Sequence, residues 1–577
     1  MQTAISTKKS KSRRIIAGAI FLSLSSALWG GSDKLASDLR NRTGNDMLDV
    51  IVQYRNLPTE AQHQRIAAKG GTLCDRLDVI SAGHYRLPAS ALASLANDPE
   101  IVYVSPDRPV QGQLYAAEPG INANIAFANG YTGAGVTVAV IDSGVASGDD
   151  VSGSRILYNQ SFVSGAQYDP IDRFGHGTHV AGIVAGNATD STGPNYTKTF
   201  RGIAPDANLV NLRVLDQNGA GTDSQVIAAI QQAISMKSTY HVGVINLSLG
   251  RPVYESYKLD PLCQAVEAAW KAGIVVVVAA GNQGRNNSLG TDGYATIMAP
   301  GNDPLVITVG AMNDMGTPTR TDDVMTSYSS KGPTVIDHVA KPDIVAPGNR
   351  IIASLPISIA MTTDYPGNRP LFSYYEKNTS GSSTTYFTLS GTSMATPMVS
   401  GTAALMLQKD PSLTPDTIKA RLMQTASKTF PAANYNTVPA STTVTDTSTA
   451  APMTYTIYYD LFTVGAGYVD ANAALNSTAV VPNGYNAASP TVTASSSGVV
   501  TVVEGTNAIW GSNAIWGTNA IWGTNVLSGS NAIWGSNAIW GTSTTSAFNA
   551  IWGTNAIWGT STSDGTESMT QLINGEP

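Results

Sequence analysis

The chain has 577 residues, 42% of them hydrophobic and only 13% charged. That is long enough for two or three domains at roughly 100–200 residues each, and too apolar for a wholly disordered chain. The net charge of −7 is uneven: residues 1–114 hold 14 of the 34 Lys and Arg but only 10 of the 41 Asp and Glu, so the remaining body is acidic and has no basic stripe for a nucleic acid. Two cysteines, Cys74 and Cys263, exclude a disulfide scaffold and any zinc site built on several thiolates.

The first residues read as a targeting segment. Lys8, Lys9, Lys11, Arg13 and Arg14 precede an uncharged apolar run over 15–28, and Trp29-Gly30-Gly31-Ser32 follows. A basic region, a short apolar run and small residues predict a signal peptide over 1–31 and an exported protein, secreted or held at the cell surface. The run is shorter than the about 20 residues that span a bilayer, although an uncleaved anchor and a twin-arginine route stay open.

Residues 45–110 predict a small α+β domain. A strand over 48–54 is followed by a helix over 60–69 that Gly70-Gly71 ends, a second helix opening within 87–92, and a strand over 101–104 stopped by Pro106. About 60 residues are marginal for independent folding.

Residues 115–475 alternate strands with helices. The runs 136–141, 244–248, 274–279 and 305–309 are continuously apolar and rich in β-branched residues, which marks strands covered on both faces. Helices over 225–237 and 262–271 lie between them. The expected fold is α/β: a doubly wound, mainly parallel central sheet with helices on both faces. Residues 476–504 read as a linker, 505–563 as a repeat and 564–577 as a tail.

The repeat is Asn-Ala-Ile-Trp-Gly, starting at Asn507, Asn513, Asn519, Asn531, Asn537, Asn549 and Asn555. Its even period puts Ala, Trp and Ser/Thr on one face of an extended chain and Asn, Ile and Gly on the other. Two readings remain: a stacked-turn or β-solenoid array burying a tryptophan ladder, or a module docking on a cell wall or glycan.

Four short blocks carry chemistry. Asp142 ends a buried strand in Val140-Ile141-Asp142-Ser143-Gly144, and open α/β sheets place their sites at such ends. His176 lies in Gly175-His176-Gly177-Thr178-His179, Asn282 in Ala280-Gly281-Asn282-Gln283-Gly284, and Ser393 in Ser390-Gly391-Thr392-Ser393-Met394-Ala395, just before an apolar helix over 399–407. A serine hydroxyl needs an adjacent base, an imidazole serves as one near neutrality, and a carboxylate holds the imidazole in its working tautomer. An amide donor stabilises the oxyanion of the tetrahedral intermediate. Bland readings stand beside these: a turn for Asp142, an N-cap for Ser393, a left-handed turn for Asn282. A zinc pair at His176 and His179 lacks the H-E-x-x-H spacing, which leaves His179 structural. An α/β-hydrolase esterase would set its serine in Gly-x-Ser-x-Gly, and Ser393 sits in Gly-Thr-Ser-Met-Ala.

In the order Asp, His, Asn, Ser, these blocks resemble the subtilisin-like serine peptidases (subtilases) over about 115–475, with Leu249-Gly250 and the run 341–348 as further landmarks. The resemblance implies a subtilisin-like fold and a serine endopeptidase cutting polypeptides through an acyl-enzyme. Asp142, His176 and Ser393 would form the triad, with Asn282 in the oxyanion hole. It further implies that substrate binds as a strand between Gly219-Ala220-Gly221 and Ser248-Leu249-Gly250, near an open, uncharged wall at Gly281 that suits apolar or unselective side chains. The chemistry requires no cofactor and no metal. The family's structural calcium sites make the oxygen-rich loop 187–193 worth testing, although it matches no calcium-loop pattern and reads as a solvated loop. Residues 45–110 resemble the subtilase propeptide, particularly at 87–90 and 102–107, and would act as an intramolecular inhibitor, self-cleaved between Asp107 and Glu118. The rival class is a surface adhesion or structural protein carrying an inactive peptidase domain.

Overall fold

A computed structural model describes residues 34–36, 39–40, 42–107, 109–112, 119–163, 169–288, 290–434, 440–446, 453–494, 500–503 and 572–576. The expected signal peptide and the Asn-Ala-Ile-Trp-Gly repeats lie outside the described residues.

Strands β1 (Met47–Tyr54), β2 (Thr72–Leu77), β3 (Ala82–Pro88) and β4 (Ile101–Pro106) form an antiparallel sheet in the order β2-β3-β1-β4. The helices Glu60–Ala67 and Leu92–Ala96 flank it. The second starts later than expected, because Leu87 and Pro88 are still paired with Leu48 and Met47 across the β1–β3 ladder. Side chains alternate between faces along a strand. Val50 and Val52 accordingly join Tyr85, Leu87 and Leu95 in this domain's own core, whereas Ile51, Leu77 and Ala82 join the larger core. The small domain therefore uses the body of the protein as its second layer.

A short strand, β5 (Pro109–Gly112), follows. The continuous apolar runs then build one eight-stranded sheet. Its strands are β6 (Thr137–Asp142), β7 (Ile156–Ser161), β8 (Asn208–Arg213), β10 (Val242–Leu247), β12 (Val275–Ala279), β13 (Ile307–Asn313), β14 (Val324–Met325) and β15 (Ile344–Pro347). Between β8 and β12 the chain also forms β9 (Ala220–Thr222) and β11 (Leu249–Gly250), which stand outside the main sheet. The main order is β14-β13-β12-β10-β6-β8-β7, with β15 also on β13; β14 is antiparallel and every other neighbour parallel. One pair of packed helices is His176–Ala185 with Thr392–Lys409, and another is Asp223–Ser235 with Pro261–Lys271. Asp260 caps the last of these by accepting from Leu262 N at 2.9 Å, with Pro261 opening the helix.

The expected linker is not a free connector over its described length. Val481, Ala487, Ser489 and Val492 are buried, and Ala340 N donates to Pro490 O at 2.8 Å. The apolar Val and Ala side chains explain this, since they gain more from the body than from solvent. Both cysteines are free thiols, and no described helix is long and apolar enough to cross a membrane.

Candidate active site

Asp142 ends β6, and Ser248 follows β10, the next strand in the sheet. The carboxyl ends of these parallel neighbours carry the two halves of the site. In the first half, the buried Asp142 Oδ1 meets His176 Nδ1 at 2.5 Å and also accepts Ser143 N at 2.7 Å. His176 is the first residue of its helix. The Phe174 ring stacks beside it, with centroids 6.5 Å apart.

What aims this helix is a residue the motif reading passed over. Asp172 is fully buried. Its Oδ1 accepts from Phe174 N at 3.0 Å, Gly175 N at 2.7 Å and Ser143 Oγ at 2.9 Å; its Oδ2 accepts from Thr178 N at 2.9 Å and Thr178 Oγ1 at 2.7 Å. Burial pushes its carboxyl up, against the pull of these donors. Ser143 Oγ in turn accepts from Gly177 N at 2.8 Å, so one network joins the end of β6 to the first turn of the His176 helix. The visible signal was an acid four residues before a helix-opening histidine, where capping residues gather. His179, one turn on, donates from Nε2 to Phe387 O at 3.0 Å, and burial lowers its pKa to about 3. It is a neutral packing residue, the structural role that its spacing from His176 left it.

In the second half, Ser393 is the second residue of the Thr392–Lys409 helix, and the N-cap is Gly391. The N-cap reading of Ser393 is therefore corrected, because the helix begins about seven residues earlier than the apolar run 399–407 suggested. Ser393 Oγ donates to Ser248 O at 3.1 Å, and Ser248 Oγ donates to Ser393 O at 2.6 Å. Behind them Asn246 Nδ2 donates to Ser248 Oγ at 3.0 Å, and Ser400 Oγ to Asn246 Oδ1 at 2.8 Å. The strand end and the helix are thus joined through a buried polar ladder.

Asn282 stands beside the same helix terminus. Its Oδ1 accepts both Thr392 N at 2.9 Å and Thr392 Oγ1 at 3.0 Å. The left-handed position in this turn belongs to Gly281, at φ +101°, and not to Asn282. A Cβ at Gly281 would lie 2.5 Å from Met298 Cγ, so both backbone and space require glycine there.

The two expected cleft edges are real strand edges. Gly219 turns the chain into β9, which contains Gly221, and Leu249 and Gly250 form β11. Between them runs β5, antiparallel to both: Val110 is opposite Gly221, Gln111 is opposite both Ala220 and Gly250, and Gly112 is opposite Leu249. The chain thereby places its own segment as the middle strand between the two expected cleft edges. Asp107, just before it, accepts from Ser224 N and Ser224 Oγ, both at 2.6 Å, where the Asp223–Ser235 helix begins.

The loop 187–193 is held by its own hydrogen bonds. Asn187 Oδ1 accepts from Thr189 N at 3.0 Å and Thr189 Oγ1 at 2.7 Å, while the neighbouring Asp150 accepts Asp190 N at 2.9 Å and Tyr386 O–H at 2.6 Å. Asp190, beside Asp150 and Asp149, has its carboxyl pushed up to about 6 by burial and by those two charges.

Residues 133–451 match the subtilase family. Over 370 residues, 62% of this chain and 77% of the relative, the chain is 39% identical to the serine protease AprX of Bacillus subtilis (strain 168). Over 366 residues, 63% of this chain and 80% of the relative, it is 34% identical to subtilisin E of the same organism. In fold it resembles fervidolysin from Fervidobacterium pennivorans, a keratinolytic enzyme related to subtilisin, with a TM-score of 0.55 and 22% identity; the match covers 78% of this chain and 63%, less than two thirds, of that one. The chain belongs to the subtilase family and is a serine endopeptidase.

Proposed function

We propose that the protein is an exported endopeptidase working through Asp142, His176 and Ser393, and that it is made as a precursor inhibited by residues 45–110. Ser393 Oγ attacks the substrate carbonyl carbon as its proton passes to His176 Nε2, and Asp142 stabilises the resulting imidazolium through Nδ1–H. The Asn282 amide N–H group and the N-terminal dipole of the Ser393 helix meet the developing oxyanion. Collapse of the intermediate breaks the C–N bond, His176 gives its proton to the departing amine, and water then releases the acyl group from Ser393.

The observation that carries this reading is β5. A peptide laid between β9 and β11 forms backbone hydrogen bonds to both, which is how a protease holds substrates of varied sequence. Residues 109–112 occupy that place in cis, and the four-stranded domain that leads into them packs on the Asp223–Ser235 and Pro261–Lys271 helices. Gln53 Nε2 donates to Leu259 O at 3.2 Å, and Val79 N to Gln231 Oε1 at 3.1 Å. The basic and apolar start of the sequence supports export, and the tryptophan repeat suits retention on a cell wall or glycan.

The test is a serine-reactive fluorophosphonate probe applied to the processed protein, with the labelled peptide mapped. Covalent label on Ser393, absent from His176→Ala, is the expected result. A folded, processed protein that takes no label would favour the adhesive or structural alternative.

A further inference from the structure

The segment beyond the repeats does not hang free of the peptidase. Residues 572–576 lie in a groove of the body, and every backbone contact there is specific. Ser390 N donates to Leu572 O at 3.1 Å, Asn368 Nδ2 to Ile573 O at 2.5 Å, and Arg350 Nε to Asn574 O at 3.3 Å. Asn349 reads the backbone of Glu576 in both senses: Oδ1 accepts its N–H at 2.8 Å, and Nδ2 donates to its carbonyl at 3.0 Å. The Leu572 side chain is buried.

The Glu576 side chain is fully buried and has a receptor built for it. Oε1 accepts from Arg285 Nη2 and Ser327 N, at 2.8 and 2.9 Å, and from Ser327 Oγ. Arg285 is itself fixed: Nε donates to Ser327 Oγ at 2.7 Å, Nη1 pairs with Asp446, and its guanidinium lies 4.6 Å from the centre of the Tyr455 ring. Gly575 has φ +63°, and a Cβ there would come within 2.5 Å of Ser390 Oγ. Sequence and receptor agree at each position: an apolar anchor, two residues held by backbone, a glycine, and an acid.

The place of this groove matters. Ser390 is three residues before Ser393, and Arg285 is three residues after Asn282. The flanking loops share an acceptor, Gly348 O, which takes Gly391 N at 2.9 Å and Tyr328 O–H at 2.7 Å.

We infer that the peptidase domain carries a second peptide-binding site, separate from the proposed cleft, that recognises the acidic peptide Leu-Ile-Asn-Gly-Glu of its own tail and anchors it to the body. Buried carboxylate–guanidinium pairing, with backbone hydrogen bonds at four of the five residues, holds a short segment without a covalent link. The occupied site braces the stretches that carry Ser393 and Asn282.

The experiment uses the full chain with Ser393→Ala, which removes self-digestion and makes the outcome independent of the proposed catalytic roles. A recognition sequence for a site-specific protease is inserted after Asp564, the folded protein is nicked, and the products are separated by gel filtration and weighed. The fragment containing residues 572–576 is expected to co-elute with the body. Synthetic Leu-Ile-Asn-Gly-Glu-Pro is expected to displace it at concentrations at least tenfold below those needed by the same peptide with Ala in place of Glu. Gly575→Val, made in the same chain, is expected to release the fragment on nicking. Separation of the unmodified fragment from the body, or equal displacement by the two peptides, would overturn the inference.

Discussion

Asn282 accepts two hydrogen bonds from Thr392 through one oxygen, at 2.9 Å from the backbone N–H and 3.0 Å from the hydroxyl. The oxygen end of the amide is thereby fixed on Thr392, which leaves the N–H₂ end as the donor for the proposed oxyanion. The same contact serves structure and chemistry, and the two uses separate by substitution. Asn282→Asp keeps the acceptor for Thr392 and removes the donor. We expect kcat to fall by about 10²–10³, a magnitude known from subtilisin and not from these distances, with little change in KM. Asn282→Ala is expected to lose the same catalysis and also stability, because Thr392 N–H is left buried and unpaired. Unchanged kcat in Asn282→Asp would remove this residue from the oxyanion hole.

Asp172 is a positioning residue, and its replacement is expected to act through His176. Asp172→Ala leaves five buried donors without their acceptor, which should destabilise by more than about 4 kcal/mol and prevent accumulation of folded protein. Asp172→Asn keeps part of the network. Its kcat should fall at least tenfold with KM preserved, and the pH profile of kcat/KM should shift, because the His176 environment changes. A variant that only melts earlier, with an unmoved profile, would make Asp172 purely structural.

The N-terminal domain should lose stability as pH rises. His84 faces three carboxylates: Asp75 Oδ2 at 3.2 Å, Asp107 Oδ2 at 3.6 Å and Asp49 Oδ1 at 3.8 Å. Burial by itself lowers its pKa, the three acids outweigh burial, and the result lies above the ordinary 6.5. All four groups lie within residues 45–110, so the raised histidine pKa stabilises the folded domain when His84 is protonated; that contribution is full below the ordinary value and is lost as pH climbs through the raised one. Asp107, pushed up by burial, acts in the same sense at lower pH. Unfolding of the domain in uncleaved Ser393→Ala protein is therefore expected to need less denaturant at pH about 9 than at about 6, and His84→Gln should flatten the difference. Limited proteolysis of the domain across a urea series measures it, and a pH dependence equal in His84→Gln would exclude His84 as its source.

Deleting residues 505–563 while keeping 564–577 should leave hydrolysis of a small peptide within about twofold and abolish retention on cell wall or glycan, since the repeats carry none of the residues proposed for catalysis. Equal retention of both proteins on those supports would end the docking reading.

Much of this was legible in the sequence because the determinants were local. Continuous Val and Ile runs identify strands covered on both faces, and the strand ending at Asp142 and the turn at Gly281-Asn282 lie where those runs predict. The start of the Ser393 helix was not legible, because Thr392 to Met398 mixes hydroxyl residues with Pro397 and hides the helical period. Asp172 was passed over because its five partners are mostly backbone N–H groups, which leave no trace in side-chain identity. The Arg285–Glu576 pair joins residues 291 apart, and only the folded chain brings them together.

The central claim is that Ser393 cuts the chain that fills its own cleft. The most direct measurement is N-terminal sequencing of wild-type and Ser393→Ala protein made in a protease-deficient host. The account predicts that the wild-type body begins between residues 108 and 118, just past or within β5, while Ser393→Ala keeps the four-stranded domain covalently attached. A Ser393→Ala protein clipped at the same bond would contradict it, because some other nucleophile would then have made the cut.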